Sequence, residues 1–347
     1  MTEETGSDAV SGSAWDELLP WQVGAARDAL AARATWPHAL LIDGPAGIGK
    51  RTLARNLARA LLCETPRADG LACGTCASCR YVIAGQHPDL QAIEPFVVDE
   101  DGEVKLQDPI PVDRIRALID WAQLTSHRGR AKVAVIAPAE SMHPSAANAL
   151  LKTLEEPPPA TYLMLVSHQP GRVPATLRSR CRRMAAPLPA KEAARAWLEQ
   201  QRVPSAELAL AQAGGAPLTA LAMVDAQWQA ERTAWMQALA KPSTLSPVAL
   251  AARIEAAPKD QRRERLRQAI DWLVAWTVDL GRVAAGGQPA RNIDFVAALG
   301  PLGAQVAPVT LFRYHRTLLR ERAWVAHPLQ PRLVAEALLI GYRELFR

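Results

Sequence analysis

The sequence lacks the features of a membrane or secreted protein. None of its apolar runs approaches the roughly 20 residues that a membrane-spanning helix needs. Residues 1–17 are polar and acidic and lack the basic start and apolar segment of a secretory signal, so we predict that they form a disordered tail. These absences favour a cytoplasmic protein.

The sequence also lacks a large excess of charge of either sign. Its 40 Lys and Arg residues against 35 Asp and Glu residues give a net charge of +5, which suits a DNA-associated assembly but is shared by many soluble enzymes. The length of 347 residues, 49% of them hydrophobic, exceeds that of most single domains. We therefore predict two or three domains with sizeable cores.

Cysteines are few, but four of the five lie close together in the sequence. Disulfides are not expected in a reducing cytosol, whereas two overlapping CxxC spacings are typical of a metal site. Four thiolates complete a tetrahedral zinc shell and leave no position for catalysis. We therefore predict a structural zinc module over residues 63–79, with the ligands Cys63, Cys73, Cys76 and Cys79. Free thiols, or His87 as a replacement ligand, are the alternatives.

A glycine-rich loop follows the first predicted strand. Residues 38–43 are almost wholly apolar, as expected for a parallel strand buried on both faces. A strand, a glycine-rich loop, a lysine and a helix then follow in the order of a phosphate-binding loop. In such a loop backbone N–H groups converge on phosphate oxygens and the lysine contacts the β and γ phosphates. The residues at these positions are Gly44, Gly47, Gly49 and Lys50.

This loop lacks the hydroxyl that holds magnesium. Arg51 occupies the position after the lysine, where a phosphate loop carries Ser or Thr. Thr52 comes one residue later, and since a helix turns by about 100° per residue, its side chain points away from the metal position. We therefore predict weak ATP binding at most, without magnesium-dependent chemistry.

Residues 145–181 carry the most specific pattern in the chain. The motif NALLKTLEEPP predicts a helix over residues 145–156, and the prolines that follow end this helix. Residues 161–167 predict a buried strand. With the LRSRC motif, this segment closely resembles the clamp-loader branch of the AAA+ proteins. The resemblance covers residues 21–224 and continues more weakly to the end of the chain.

The resemblance implies a fold and its domains. It implies an α/β AAA+ domain of the P-loop type, with a parallel sheet and the zinc module, over residues 18–186. A small helical lid domain over residues 187–245 and an all-helical collar domain over residues 246–347 would follow. The amphipathic stretches after residue 246 agree with a helical end.

The resemblance also implies that the carboxylates of an active site are lost. In active AAA+ subunits the strand matching residues 132–137 ends in Asp-Glu, which hold magnesium and orient the attacking water. Here Ala137 and Pro138 stand at those positions. Glu140 lies beyond the proline, and we predict that it is a loop or cap residue. We therefore predict no independent ATPase, which favours the delta-prime family of bacterial DNA polymerase III over the gamma/tau ATPases.

Arg180 takes its predicted role from the resemblance alone. In the clamp-loader branch the arginine of the Ser-Arg-Cys triplet, here Ser179, Arg180 and Cys181, is offered as a finger to ATP held by a neighbouring subunit. A guanidinium is always charged, and its planar fork matches phosphate oxygens. Without the resemblance, an exposed arginine is better interpreted as half of a surface salt bridge.

The resemblance implies an assembly and leaves alternatives open. The expected partners are gamma/tau and delta subunits in a hetero-pentamer, with primed DNA and the sliding clamp bound through the complex and no membrane. A gamma/tau-type ATPase with an atypical site, in which Glu140 is the base, is the alternative function. A zinc-dependent DNA-binding protein is disfavoured because no basic recognition helix follows the cysteines.

Overall fold

The computed structural model describes residues 17–98, 104–325 and 330–347. The predicted disordered tail lies outside the described residues except for its last position. The chain divides into two compact units, one made of the described residues up to Trp197 with Ala216–Thr219, the other of Leu198–Gly215 with Ala220–Arg347. The boundaries drawn at residues 186 and 245 between sheet domain, lid and collar stay a prediction.

A parallel sheet forms the centre of the first unit. Its five strands lie in the order β2-β5-β6-β1-β7, and β3 pairs antiparallel with β4 in a separate two-stranded sheet. The strands are β1 (Ala39–Asp43), β2 (Leu90–Ile93), β3 (Phe96–Val98), β4 (Val104–Leu106), β5 (Lys132–Ile136), β6 (Thr161–Ser167) and β7 (Arg182–Ala185). The predicted α/β class with a parallel AAA+-type sheet is confirmed.

Helices cover both faces of this sheet. Those up to residue 200 are α1 (Val23–Ala31), α2 (Lys50–Leu62), α3 (Ala77–Ile83), α4 (Val112–Gln123), α5 (Pro144–Glu155), α6 (Ala175–Arg178) and α7 (Lys191–Gln200). Successive side chains of a strand point to opposite faces. Leu40 and Ile42 of β1 therefore join the core that includes α2, while Leu41 joins the core of α4 and α5. This explains why the β1 sequence is apolar throughout.

The second unit is helical in its described part. The remaining helices of the chain are α8 (Ala206–Gln212), α9 (Pro217–Ala222), α10 (Ala226–Leu239), α11 (Pro247–Glu255), α12 (Arg262–Ala284), α13 (Val296–Gln305), α14 (Pro308–Trp324) and α15 (Pro331–Glu344). Short 3-10 turns lie at Pro20–Gln22, Arg33–Thr35, Ala139–Ser141, Pro170–Arg172 and Ile293–Phe295. The predicted helical end of the chain is confirmed.

Aromatic side chains fix the core of the second unit. Trp276 donates from Nε1 to the Tyr342 hydroxyl at 2.8 Å, and that hydroxyl donates to the Leu239 carbonyl at 2.7 Å.

Among the described residues no single helix is long and apolar enough to cross a membrane. The segments Ile293–Gln305 and Pro308–Trp324 meet the length and composition only as a pair, which is bent by 116°. Both segments contribute buried residues to the core of the second unit.

Candidate functional site

The four clustered cysteines converge at the end of α2 and the start of α3. Cys63 follows the last residue of α2, Cys76 caps α3, and Cys79 lies in the first turn of α3. The four sulfur atoms lie within 4.8 Å of one another, with 3.9 Å from Cys63 to Cys76 and from Cys73 to Cys79. A tetrahedral zinc with bonds of about 2.3 Å has sulfur–sulfur edges of about 3.8 Å. The cluster can therefore hold a metal ion.

Backbone N–H groups point at the sulfurs of this cluster. Cys73 N–H lies 3.3 Å from Cys63 Sγ, Cys76 N–H lies 3.3 Å from Cys73 Sγ, and Cys79 N–H lies 3.4 Å from Cys76 Sγ. Gly74, at φ 84°, turns the chain between the second and third cysteine, a conformation that glycine adopts without a steric penalty. Such N–H donors favour thiolates over thiols.

The pKa values of two of these thiols are shifted in opposite directions. The hydroxyl of Thr65 and the backbone N–H groups of Thr75 and Cys76 lower the pKa of Cys73 to about 5. Burial raises the pKa of Cys79 to about 12, because a thiolate loses hydration there. A cation bound between the sulfurs would offset that cost.

His87 does not join the cysteine cluster. Its Nδ1 accepts a hydrogen bond from the Asp89 backbone N–H at 3.1 Å, so the neutral ring carries its proton on Nε2. That nitrogen lies 2.6 Å from the Ser78 hydroxyl, to which it donates. The ring is buried, and both nitrogens have partners. The structure therefore assigns His87 to the packing beside α3 and not to the metal ligands.

The glycine-rich loop connects β1 to α2, as the sequence predicted. Gly47 and Gly49 have φ values of 73° and 87°, which favour glycine, and Gly49 is the residue before the first turn of α2. Gly44 begins the loop at the carboxyl end of β1. The Lys50 ammonium turns back onto the Pro45 carbonyl of the same loop, and Lys50 is only 2% exposed.

Segments of the same unit pack closely against this loop. Leu218 donates its backbone N–H to the Gly47 carbonyl at 3.0 Å, and a Cβ atom at Gly47 would lie 2.0 Å from the Thr219 hydroxyl. On another side, the Gln22 amide donates to the Ile48 carbonyl at 3.2 Å and to the Gly49 carbonyl at 2.7 Å. The loop is therefore held in place by contacts with the chain itself.

Arg51, which stands where a phosphate loop carries Ser or Thr, forms an ion pair. Arg51 Nη1 lies 2.8 Å from Glu94 Oε2, and Arg55 Nη2 lies 2.9 Å from Glu94 Oε1. Glu94 directly follows β2, on the strand-to-loop junction. Thr52 is buried within α2. A guanidinium offers no oxygen that could coordinate magnesium, so Arg51 does not replace the missing hydroxyl.

The carboxyl end of β5 has no acidic residue. Ala137 is buried and donates its N–H to the Ile93 carbonyl at 2.9 Å, and Pro138 follows it through a cis peptide bond. Glu140 Oε1 accepts the backbone N–H groups of His168 at 2.8 Å and Gln169 at 3.0 Å. Glu140 is thus a capping residue of the loop after β6, as the sequence predicted.

Arg180 lies in the turn between α6 and β7. Its Nε donates to Glu155 Oε1 at 2.7 Å, its Nη2 forms an ion pair with the same oxygen, and its Nη1 donates to the Thr176 carbonyl at 2.9 Å. Ser179 closes the turn through a bond from its hydroxyl to the Thr176 carbonyl, and Cys181 packs against the buried core. The side chain of Arg180 is 34% exposed. Within this chain the arginine is therefore a half-exposed salt-bridge residue on a fixed turn.

Comparison with known proteins gives the family. The family described as "DNA polymerase III, delta subunit" matches residues 27–188. The "DNA polymerase III subunit delta'" of Pseudomonas aeruginosa is 35% identical over 339 residues, which cover 95% of this chain and 98% of that protein. The chain belongs to the delta-prime family of DNA polymerase III subunits. The delta-prime subunit of Escherichia coli K12 is 34% identical over 280 residues, which cover 79% of this chain and 78% of that protein.

Similarity to the tau subunit extends over less of the chain. "DNA polymerase III subunit tau" of Escherichia coli K12 is 38% identical over 144 residues, which cover 42% of this chain and 20% of that protein. The delta-prime relative from Pseudomonas aeruginosa, by contrast, matches almost from end to end. The predicted preference for the delta-prime family over gamma/tau is therefore confirmed at the level of the family.

Sequence reasoning missed the partners of the predicted residues in this delta-prime chain. It singled out Arg51 and Arg180 but did not identify Glu94 and Glu155 as the carboxylates that pair with them. It also missed Asp43, the last residue of β1. The Asp43 carboxylate accepts hydrogen bonds from Nε and Nη2 of Arg183 at 2.8 and 2.6 Å. The parallel pairing of β1 with β7 brings this last pair within reach, since Arg183 lies opposite Leu41, two residues before Asp43.

Proposed function

We propose that this delta-prime chain is a non-hydrolysing subunit of the DNA polymerase III clamp loader, acting with gamma/tau and delta subunits. Its role is to supply Arg180 to ATP held by a neighbouring gamma/tau subunit while the sliding clamp is loaded onto primed DNA. The observation that carries the proposal is that Arg51, which pairs with Glu94, stands where a phosphate loop carries its magnesium-binding hydroxyl. A chain that cannot position magnesium and the attacking water does not hydrolyse ATP itself. An arginine finger on such a chain would therefore act on the ATP of another subunit.

The chemistry of a guanidinium supports this role for Arg180. In phosphoryl transfer, charge develops on the oxygens of the transferring group, and a finger that binds those oxygens is worth on the order of 10³-fold or more in rate. A guanidinium has five N–H donors. The contacts to Glu155 and Thr176 engage three of them, so two donors remain for an incoming phosphate.

The cysteine cluster is proposed to hold one structural zinc. Cys63, Cys73, Cys76 and Cys79 provide four sulfur ligands at tetrahedral spacing, which completes the shell and leaves no position for substrate. Metal bound there would tie the end of α2 to the start of α3. Because ligand thiols must lose their protons, zinc binding would be linked to folding of this segment and to pH.

ATP binding at the chain's own loop is proposed to be weak and unproductive. The glycines give the loop its shape, but Lys50 is engaged with the Pro45 carbonyl and Arg51 with Glu94. Phosphate would have to compete with those contacts. The hetero-pentamer, the primed DNA, the sliding clamp and a cytoplasmic location are expectations carried over from the family.

The alternative function, a gamma/tau-type ATPase that uses Glu140 as base, is disfavoured by geometry. Glu140 Oε1 accepts two backbone N–H groups, from His168 and Gln169, which hold the carboxylate as a loop cap. ATP turnover by the purified chain alone separates the two functions: we expect none above background with DNA present, and steady DNA-stimulated turnover would support the ATPase.

The finger itself is tested in the assembled loader. The chain, reconstituted with gamma/tau and delta subunits, should support ATP turnover that DNA and clamp stimulate. Arg180→Ala should lower this turnover without impairing assembly, and Arg178→Ala is the matched control, since Arg178 is exposed two residues away. Equal turnover for the wild type and Arg180→Ala would refute the proposed role.

A further inference from the structure

Arg180 is mounted on a rigid part of the first unit. Leu177 of α6 and Leu154 of α5 are fully buried in the same core, and the Arg180 backbone N–H donates to the Leu177 carbonyl at 3.1 Å. Two residues later, Arg182 enters β7 and pairs with β1. The backbone on both sides of Arg180 is thus held by hydrogen bonds and packing. Only the orientation of the Arg180 side chain still has to be fixed.

Glu155 orders that side chain. The carboxylate lies at the last residue of α5, directly after buried Leu154, so its backbone is as fixed as that of Arg180. One carboxylate oxygen, Oε1, receives both Nε and Nη2, while the Thr176 carbonyl receives Nη1. Contacts on three nitrogens define the plane of the guanidinium, which a single contact would leave free to rotate.

Fold stability does not account for a glutamate at this position. The last residues of a helix lie at the negative end of its dipole, where an acidic side chain is unfavourable. The side chain of Glu155 is 52% exposed, and ion pairs at that exposure contribute little to folding. The neighbouring Glu156 has the same charge and is also exposed. What distinguishes Glu155 is its contact with the guanidinium.

We propose that Glu155 is a positioning residue for Arg180. It fixes the guanidinium in one orientation and leaves two of its N–H donors for phosphate, so that the finger loses little conformational freedom when it meets the ATP of the neighbouring subunit. This inference rests on the proposed function of Arg180. It requires that Glu155 act only through Arg180.

A double-mutant cycle in the reconstituted loader tests the inference. Glu155→Ala should lower the kcat of DNA- and clamp-stimulated ATP turnover by roughly 3- to 10-fold, less than Arg180→Ala does, because a mobile guanidinium still reaches the phosphate part of the time. KM for ATP should not change, since the contact is made in the transition state. Glu155→Gln, which keeps an acceptor oxygen, should fall between wild type and Glu155→Ala.

The double variant and a neighbouring control identify the cause. In the Arg180→Ala background, Glu155→Ala should have no further effect. Glu156→Ala removes the same charge one residue away and should behave as the wild type. An unchanged melting transition for each variant excludes misfolding.

Each other outcome has a distinct meaning. If Arg180→Ala lowers turnover but Glu155→Ala does not, positioning is refuted while the finger stands. If Arg180→Ala has no effect, the proposed function fails first. A further loss from Glu155→Ala in the Arg180→Ala background, an equal loss from Glu156→Ala, or a gain from Glu155→Ala would each show that Glu155 acts otherwise, and would overturn the inference.

Discussion

Arg51 and Arg180 belong to the same unit and each pairs with a glutamate, but the two pairs lie in different surroundings. The side chains of Arg51 and Glu94 are 26% and 18% exposed, and Arg55 binds the second oxygen of Glu94. The side chains of Arg180 and Glu155 are 34% and 52% exposed. The Arg51–Glu94 pair is therefore the enclosed pair, and its carboxylate is shared with Arg55. The Arg180–Glu155 pair is more exposed and is called the outward pair. The same chemistry therefore closes one site and leaves the other accessible to a partner.

The loop beside the enclosed pair keeps the shape of a phosphate loop without the hydroxyl that follows the lysine. The loop keeps its glycines and its place between β1 and α2, and it is held by contacts such as the bond from Leu218 to Gly47. Arg51 brings a fixed positive charge to the residue that carries a hydroxyl in a phosphate loop. A fixed cation can steady the loop, but it cannot bridge phosphates and water. On the proposed function, the loop is structural and Arg180 is the group that takes part in a reaction.

The largest expected effect comes from replacing Arg180, the arginine of the outward pair. Arg180→Ala in the reconstituted loader should lower stimulated ATP turnover by about 10-fold or more, though less than the full value of a finger because other ATP sites still function. Arg180→Lys should restore little, since an ammonium is a point charge without the planar fork. Steady-state turnover at saturating DNA and clamp measures both variants. Full restoration by lysine would show that charge alone matters.

The next effect concerns the metal module that adjoins the helix of the enclosed pair. Cys76→Ser should reduce bound zinc from about one equivalent to a small fraction, because a tetrahedral shell loses a ligand. Elemental measurement of freshly reduced protein checks this, with Cys181→Ser, which leaves the four clustered thiols intact, as control.

Hydrogen exchange would show how far the loss of zinc spreads. Residues 63–83 should lose protection, whereas β1 and the rest of the sheet should keep theirs because they have their own core. If the whole unit unfolded, zinc would be required for the sheet and not only for the module. A wild type with far less than one equivalent of zinc would refute the metal site.

A smaller effect separates the two pairs by stability. Glu94→Gln should lower the free energy of unfolding by about 1–2 kcal/mol, because Arg51 and Arg55 lose a shared, partly buried anion. Glu155→Gln should cost less than about 0.5 kcal/mol, as is usual for exposed pairs. Urea titrations of both variants beside the wild type measure the difference. Equal costs would remove the distinction between the enclosed and the outward pair.

The sequence predicted the parts of the site that depend on local pattern. Four cysteines at short spacing, a glycine loop between an apolar run and a helix, and Ala137-Pro138 at a strand end can each be recognised within a few residues. The ion pairs could not be, because they join positions far apart. Glu94 meets Arg51 only because β2 lies beside β5 in the sheet, and Glu155 meets Arg180 only because α5 packs against α6. Those partners follow from strand order and helix packing, which spacing does not encode.

The smallest expected effect comes from the lysine of the enclosed region. Lys50→Ala should change the ATP turnover of the reconstituted loader by less than about 2-fold, because the ammonium contacts the Pro45 carbonyl and the neighbouring Arg51 is paired with Glu94. Since Lys50 is buried, Lys50→Met provides a control that removes the charge but keeps the stem packed. Both variants should assemble normally and load clamps at close to the wild-type rate. A severe loading defect in both, with assembly intact, would show that this loop still uses phosphate, and the contrast between a closed site and an accessible arginine would then no longer hold.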